Sequence, residues 1–208
     1  MKYLVLTAAV AVAVAAGALV ARVSDPAAAA DPPAPGRPAA APPANPGIDM
    51  PGYLRVAQEA AAHRESRRVT EDEFVRMSGE KGTVVLDARS REMYDLLHVK
   101  GAVHLSFPDI DAVSLPRVLP DPEARILIYC NNNFTPAAAP GAGADPVRAE
   151  GIAKRVRAAM RPKGAVASLN LSTYIALYSY GYRNVYELAP LIDPAKTKLT
   201  FEPSATAK

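Results

Sequence analysis

Tryptophan is absent from the chain and cysteine occurs once, at Cys130. A single cysteine cannot form a disulfide within the chain, so the thiol is either buried and inert or exposed and reactive. The three histidines, His63, His98 and His104, lack close ligand spacing with one another or with Cys130, so no metal centre is expected. No glycine-rich phosphate-binding motif is present, and no cofactor is expected. Charge of one sign is scarce too: Lys+Arg 24 against Asp+Glu 21 leaves a net charge of +3, with no long basic block. That argues against nucleic acid as a partner, which requires a basic stripe.

Small residues and proline, by contrast, dominate the N-terminal part. MKYLVLTAAVAVAVAAGALVAR has one lysine and then an uncharged run from Tyr3 to Ala21, with small-residue pairs at Ala16/Ala18 and Ala28/Ala30. This is the pattern of a secretory signal peptide. The run also just reaches membrane-spanning length, so an uncleaved anchor over residues 1–24 is the competing reading. Its alanine-rich composition favours cleavage, and no cysteine follows it to carry a lipid. The N-terminus of the mature chain separates the two readings. Both place the rest of the protein outside the cytoplasm, periplasmic or secreted, with a membrane tether only if the anchor is retained. Residues 25–47, DPAAAADPPAPGRPAAAPPANPG, bury little and read as a disordered or stiffly extended linker.

From about Met50 the composition turns globular. Residues 52–68 read as a helix, within an N-terminal helical extension over 48–68. VTEDEF signals a helix start, with Thr70 as N-cap, Glu73 as its capping-box partner, and Val69 with Phe74 as a hydrophobic staple. Apolar, β-branched runs at 83–88, 101–107, 124–130 and 184–188 read as buried strands. Residues 90–97 are helical in period. NLSTYIALYSYGY places Leu171, Tyr174, Ile175 and Tyr178 on one helix face and stops at Gly181. Short buried strands alternating with helices indicate an α/β fold with a mainly parallel sheet covered on both faces. The domain spans 69–195, with an insert over 135–168 and a tail over 196–208. Within the insert, TPAAAPGAGADP is flexible in composition. VRAEGIAKRVRAAMRPKG reads as a helix with Ile152, Val156 and Met160 on one side. Arg148, Lys154, Arg155 and Arg157 surround them as a solvated face, with contact to a protein partner or membrane as the alternative.

In open α/β sheets the active site lies beyond the carboxyl ends of the strands. Asp87 and Cys130 both close a strand. A thiol there can be surrounded by backbone N–H groups that stabilise the thiolate, which is the nucleophile. The same cradle would hold an anionic persulfide.

LDARSREMYDLLHVKGAVHLSF resembles the signature of rhodanese-like domains, in its Asp87, Arg89, His98, Gly101 and Ala102. An apolar strand ending in Cys130 follows at the expected distance, and GYRNVYEL (181–188) is similar to the family's lead into its last strand. The resemblance covers roughly residues 69–190. It implies a five-stranded parallel sheet flanked by helices on both faces. It also implies transfer of sulfane sulfur from a donor such as thiosulfate, through a Cys130 persulfide, to a thiophilic acceptor. Asp87, Arg89 and His98 would then support the loops around the cysteine. The partners implied are a small sulfur-containing anion and a persulfide or thiol acceptor.

The chain departs from this family pattern in the loop itself, CNNNFTPAAAPGAGADP. Position 135 is Thr and position 136 is Pro, no Lys or Arg appears before Arg148, and the following helix is postponed to about Asn170. The missing arginine also argues against cysteine-based phosphatases, whose phosphate loop needs that guanidinium. Asn131, Asn132 and Asn133 tolerate left-handed backbone and are expected to shape a nest of N–H donors, with side-chain amides able to bind a neutral or weakly anionic sulfur species. Phe134 is expected to seal one side. The alternative is that the asparagines only satisfy the strand end, leaving an inactive module that binds a protein partner.

Overall fold

In the computed structural model, which describes residues 45–135, 151, 154–156, 159–194 and 196–204, the β-branched runs of the sequence become the centre of a sheet. In chain order the strands are β1 (Arg68–Val69), β2 (Thr83–Asp87), β3 (His98–Val99), β4 (Val103–His104), β5 (Arg125–Tyr129), β6 (Val185–Leu188) and β7 (Phe201–Glu202). Five of them form one sheet in the order β1-β6-β5-β2-β4, every pair parallel. The remaining two, β3 and β7, pair antiparallel, His98 opposite Glu202. The helices are α1 (Met50–Glu65), α2 (Glu71–Ser78), α3 (Arg91–Leu96), α4 (Leu115–Val118) and α5 (Leu169–Ser179).

β5 lies between β6 and β2 and is buried on both faces, as near-continuous apolar strands of parallel sheets are. Its side chains alternate between two cores. Leu127 and Tyr129 join Phe74 and Met77 of α2 and Val156, Ala159 and Met160 of the insert. Ile126 and Ile128 join Ala60 of α1, Leu115 of α4, and Tyr174 and Leu177 of α5. The sheet therefore carries helices on both faces.

Several boundaries differ from the sequence reading for local reasons. The helix expected over 52–68 ends at Glu65, because the Arg67 and Val69 carbonyls accept from the Glu187 and Ala189 amides and turn the chain into the edge strand β1. The strand expected over 101–107 shrinks to two residues. The Leu105 and Phe107 amides donate to Asp87 and Ala88, and Phe107–Asp109 then coils into a 3-10 turn at Pro108. Thr70 does cap α2, accepting the Glu73 amide at 3.2 Å, but the reciprocal half of the capping box is missing. The Glu73 carboxylate pairs with Arg76 instead. Val69 and Phe74 meet in one core, as a staple does.

In the insert, residues 154–156 are helical, with Val156 and Met160 buried and Lys154 and Arg155 exposed. Arg148, Ile152 and Arg157 lie outside the described residues. So do residues 1–44, which carry the expected signal peptide or anchor and most of the linker. Among the described residues no helix is long and apolar enough to cross a membrane.

α5 carries a buried stripe that the sequence pattern does not show. Asn170, Thr173 and Leu177 are buried, and the stripe expected from the sequence, Leu171, Tyr174, Ile175 and Tyr178, meets α1 on its flank. His63 of α1 lies 2.8 Å from the Tyr174 hydroxyl. Burial, with Arg67 and Arg183 nearby, lowers the His63 pKa from its ordinary value. The helix ends in a Schellman motif: the Gly181 amide donates to Tyr178 and the Tyr182 amide to Leu177, at 3.1 and 3.0 Å. Gly181 has φ +93°, a region that costs an L-residue strain. Gly181→Ala should therefore lower unfolding stability by about 1–2 kcal/mol in urea denaturation, with an unchanged m value; no loss would mean that the turn relaxes into another cap.

Candidate active site

The site begins with a charge pair that the sheet buries completely. Asp87 ends β2 at 0% exposure and Arg89 follows at 1%. The Arg89 Nε donates to Asp87 Oδ1 at 2.9 Å and one Nη donates to Oδ2 at 2.6 Å. The same guanidinium reaches the Leu97 carbonyl at 2.6 Å and the Ala159 carbonyl at 3.0 Å. Burial opposes its charge, but the hydrogen bonds and field of Asp87 outweigh it, and Arg89 stays above its ordinary pKa. The Tyr129 hydroxyl donates to Asp87 Oδ2 at 2.5 Å and accepts the Val99 amide at 3.0 Å. Burial, aided by the Asp87 charge, pushes the Tyr129 pKa well up, so the phenol remains a donor. Tyr129 is the residue before Cys130, so this network fixes the end of β5.

His98 makes a different contribution. Its ring stacks on Tyr94 at 3.8 Å, its Nδ1 donates to the Tyr94 carbonyl at 2.8 Å, and its Nε2 lies 3.8 Å from Glu202 of β7. These contacts hold α3 and the C-terminal strand rather than the loop after Cys130.

That loop is one 3-10 turn, Asn131–Asn133. The expected left-handed nest does not form: among the described residues, positive φ occurs only at glycines. The turn uses its own amides, Asn133 N–H to Cys130 and Phe134 N–H to Asn131. The asparagine side chains act as braces. Asn133 Oδ1 accepts the Cys130 amide at 2.9 Å and the Asn170 side-chain amide at 3.1 Å, while its Nδ2 donates to Leu188 at 2.5 Å. Asn132 exchanges two hydrogen bonds with the Lys163 backbone, at 2.7 and 3.0 Å. The Oδ1 of buried Asn131 has no partner. Phe134 does not seal the thiol. It packs edge-on against Tyr129 and Phe201, in the core on the opposite face from α1 and α5.

Cys130 itself is 1% exposed. Strand alternation puts its side chain on the face of Ile126 and Ile128, toward α5, and its Sγ lies 3.4 Å from Ser168 Oγ. Ser168 is the N-cap of α5, yet its hydroxyl makes no capping bond to the helix. The helix that the sequence postpones thus arrives in space with its positive end beside the sulfur. A cation engaged on the neighbouring strand β6 is also remote in sequence. Arg64 of α1 forms a two-point ion pair with buried Glu187 of β6, one bond measuring 2.6 Å. The hydrogen bond to Glu187 raises the Arg64 pKa above its ordinary value, against the opposing effect of burial. Sequence reasoning missed Ser168, Asn170, Arg64 and Glu187. The only signal for them was Ser168 standing two positions before the helix expected from Asn170. Among the described residues, no three His, Cys, Asp or Glu side chains gather into a metal-holding group.

Removing one partner of a buried pair strands the other charge. Arg89→Met should cost about 3–5 kcal/mol by chemical denaturation. Adding Asp87→Asn should recover part of that loss, whereas simple additivity of the two would show that they act independently.

A family model for the rhodanese-like domain matches residues 70–189. No match appears among curated proteins. Among solved structures, the chain is similar to the BH2092 protein from Bacillus halodurans at 19% identity, covering 66% of this chain and 76% of that one, with a TM-score of 0.37. It is similar also to the rhodanese-like domain of the Alr3790 protein from Anabaena sp., at 21% identity, covering 68% of this chain and 85% of that one, with a TM-score of 0.36.

Proposed function

The chain belongs to the rhodanese-like domain family, and from that premise we propose that it carries sulfane sulfur on Cys130. The observation that carries this reading is the position of Sγ, beyond the carboxyl end of a central strand and 3.4 Å from the hydroxyl at the N-terminus of α5. In this reading the Cys130 thiolate attacks the outer sulfur of a donor R–S–SH. The Cys130–sulfur bond forms, the donor's S–S bond breaks, and the donor leaves as R–SH with the proton of the perthiol. From thiosulfate the leaving group is sulfite. In either case the electron pair of the broken bond leaves with the thiol or sulfite, the sulfur moves as a neutral atom onto the thiolate's own pair, and no external oxidant is needed. An acceptor thiolate or cyanide then attacks the outer sulfur and regenerates the thiolate. Ser168 donates its hydroxyl proton to the anionic sulfur, and the N-terminal end of α5 adds its partial positive charge. Asp87, Arg89 and Tyr129 hold the strand end, and Asn133 holds the loop.

A second reading, an inactive module that binds a partner, is favoured by one observation. The thiol is 1% exposed, and the loop's own side chains supply no cation.

Intact mass after incubation with thiosulfate or a small perthiol distinguishes the two. The wild type should gain one sulfur atom, released by cyanide as thiocyanate, and Cys130→Ala should gain none. No gain from either donor, with the thiol still titratable after unfolding, would leave the binding-module reading standing.

A further inference from the structure

Three buried side-chain oxygens without a hydrogen-bond partner lie in the two segments that meet at Cys130: Asn131 Oδ1, Asn170 Oδ1 and Thr173 Oγ1. Their residues are 8%, 3% and 2% exposed, so each oxygen has been taken from water without a replacement bond. Leaving such a group unmet is expensive, and each of them calls for a partner.

The orientation of the amides is dictated by their neighbours. The Leu188 carbonyl accepts only an N–H, and the Cys130 amide needs an oxygen, so Asn133 turns its Nδ2 to the first and its Oδ1 to the second. Asn170 must then offer its own Nδ2 to that Oδ1, at 3.1 Å. The Asn170 Oδ1 is therefore the free end of an amide two hydrogen bonds from the Cys130 backbone. Thr173 follows one turn later on the same buried face of α5, and Asn131 adjoins the cysteine in sequence. Beside them, Ser168 Oγ faces the sulfur.

We propose that Asn131 and Asn170 are specificity-determining residues of the Cys130 site, and that they, with the Thr173 hydroxyl, accept hydrogen bonds from a thiol or perthiol bearing N–H or O–H donors, in preference to a sulfur oxyanion. This inference rests on the sulfur-carrying role of Cys130. Thiosulfate has no donor to offer: the Thr173 hydroxyl can turn to donate to it, but its oxygens would stand against the Asn131 and Asn170 oxygens. Among the described residues, Arg64 is committed to Glu187, and Lys163 meets the loop through its backbone rather than its ammonium group. A donor-bearing perthiol satisfies the oxygens while its outer sulfur bonds to Cys130, and the displaced thiol leaves with the perthiol proton.

The test compares initial rates of sulfur loading on the full-length protein, read by intact mass, from thiosulfate and from the perthiol of N-acetylcysteine amide. Wild type, Asn131→Ala and Asn131→Asp are run side by side, and the perthiol-to-thiosulfate rate ratio is followed, so that any general change in thiol exposure cancels. Losing the accepting amide oxygen in Asn131→Ala should lower that ratio about fivefold, and Asn131→Asp, which keeps an accepting oxygen, should not lower it. An unchanged ratio in Asn131→Ala, or an equal fall in both variants, would overturn the inference while leaving Cys130 a sulfur carrier. Absence of loading from both donors would overturn the carrier reading, and this one with it.

Discussion

The Asp87–Arg89 pair is the constraint on which the site depends. A buried ion pair is tolerable only when its desolvation is offset by complete hydrogen bonding. Here the guanidinium spends its donors on a carboxylate and two backbone carbonyls, and the carboxylate also takes the Tyr129 hydroxyl. Each bond ties a different segment to the end of β2: the turn after α3 through Leu97, the insert through Ala159, and β5 through Tyr129. A hydrophobic substitute could fill the same volume, but it could not specify these three directions at once. The chain leaves Tyr129 for Cys130 already held in direction.

On the other side of the sheet, the loop is closed by groups from far along the chain. Asn133 ties the Cys130 amide to Leu188 at the end of β6 and to Asn170 in the first turn of α5. The helix separated from the cysteine by the insert is thereby brought against it, and Ser168 meets the sulfur. Arg64, from the helix before the family match, seats α1 on Glu187 of β6. The surroundings of the thiol are therefore assembled by tertiary contacts rather than by one compact loop. They consist of neutral hydrogen-bonding groups and a helix end, with the neighbouring guanidinium already compensated by a carboxylate.

Much of this was legible in the sequence, and the pattern of what was not has physical causes. β2, β5 and β6 are apolar runs because both faces of a parallel sheet are buried, so composition alone marks them. Cys130 and Asp87 could be located because both sit at the ends of such runs. The edge strand β1 and the β3–β7 pair are two residues each and carry no period to detect. Gly181 could be read as the end of α5 because positive φ selects glycine. The burial of Asn170 and Thr173 could not, because polar residues on a helix face signal solvent until a partner appears. The asparagine run was recognised as a shaped loop but assigned the wrong backbone: its side chains brace neighbouring segments while the main chain closes a 3-10 turn. Phe134 lies in the opposite core because the 3-10 turn interrupts the strand's alternation, which a reading of the loop by itself does not reveal.

The most direct measurement is a crystal structure of the protein after exposure to a perthiol. The account predicts a second sulfur atom bonded to Cys130 Sγ within hydrogen-bond reach of Ser168 Oγ, with the Asn133 bonds to Cys130, Leu188 and Asn170 intact. An unmodified thiol in the same hydrogen bonds, from protein shown to fold and to have met the donor, would contradict it.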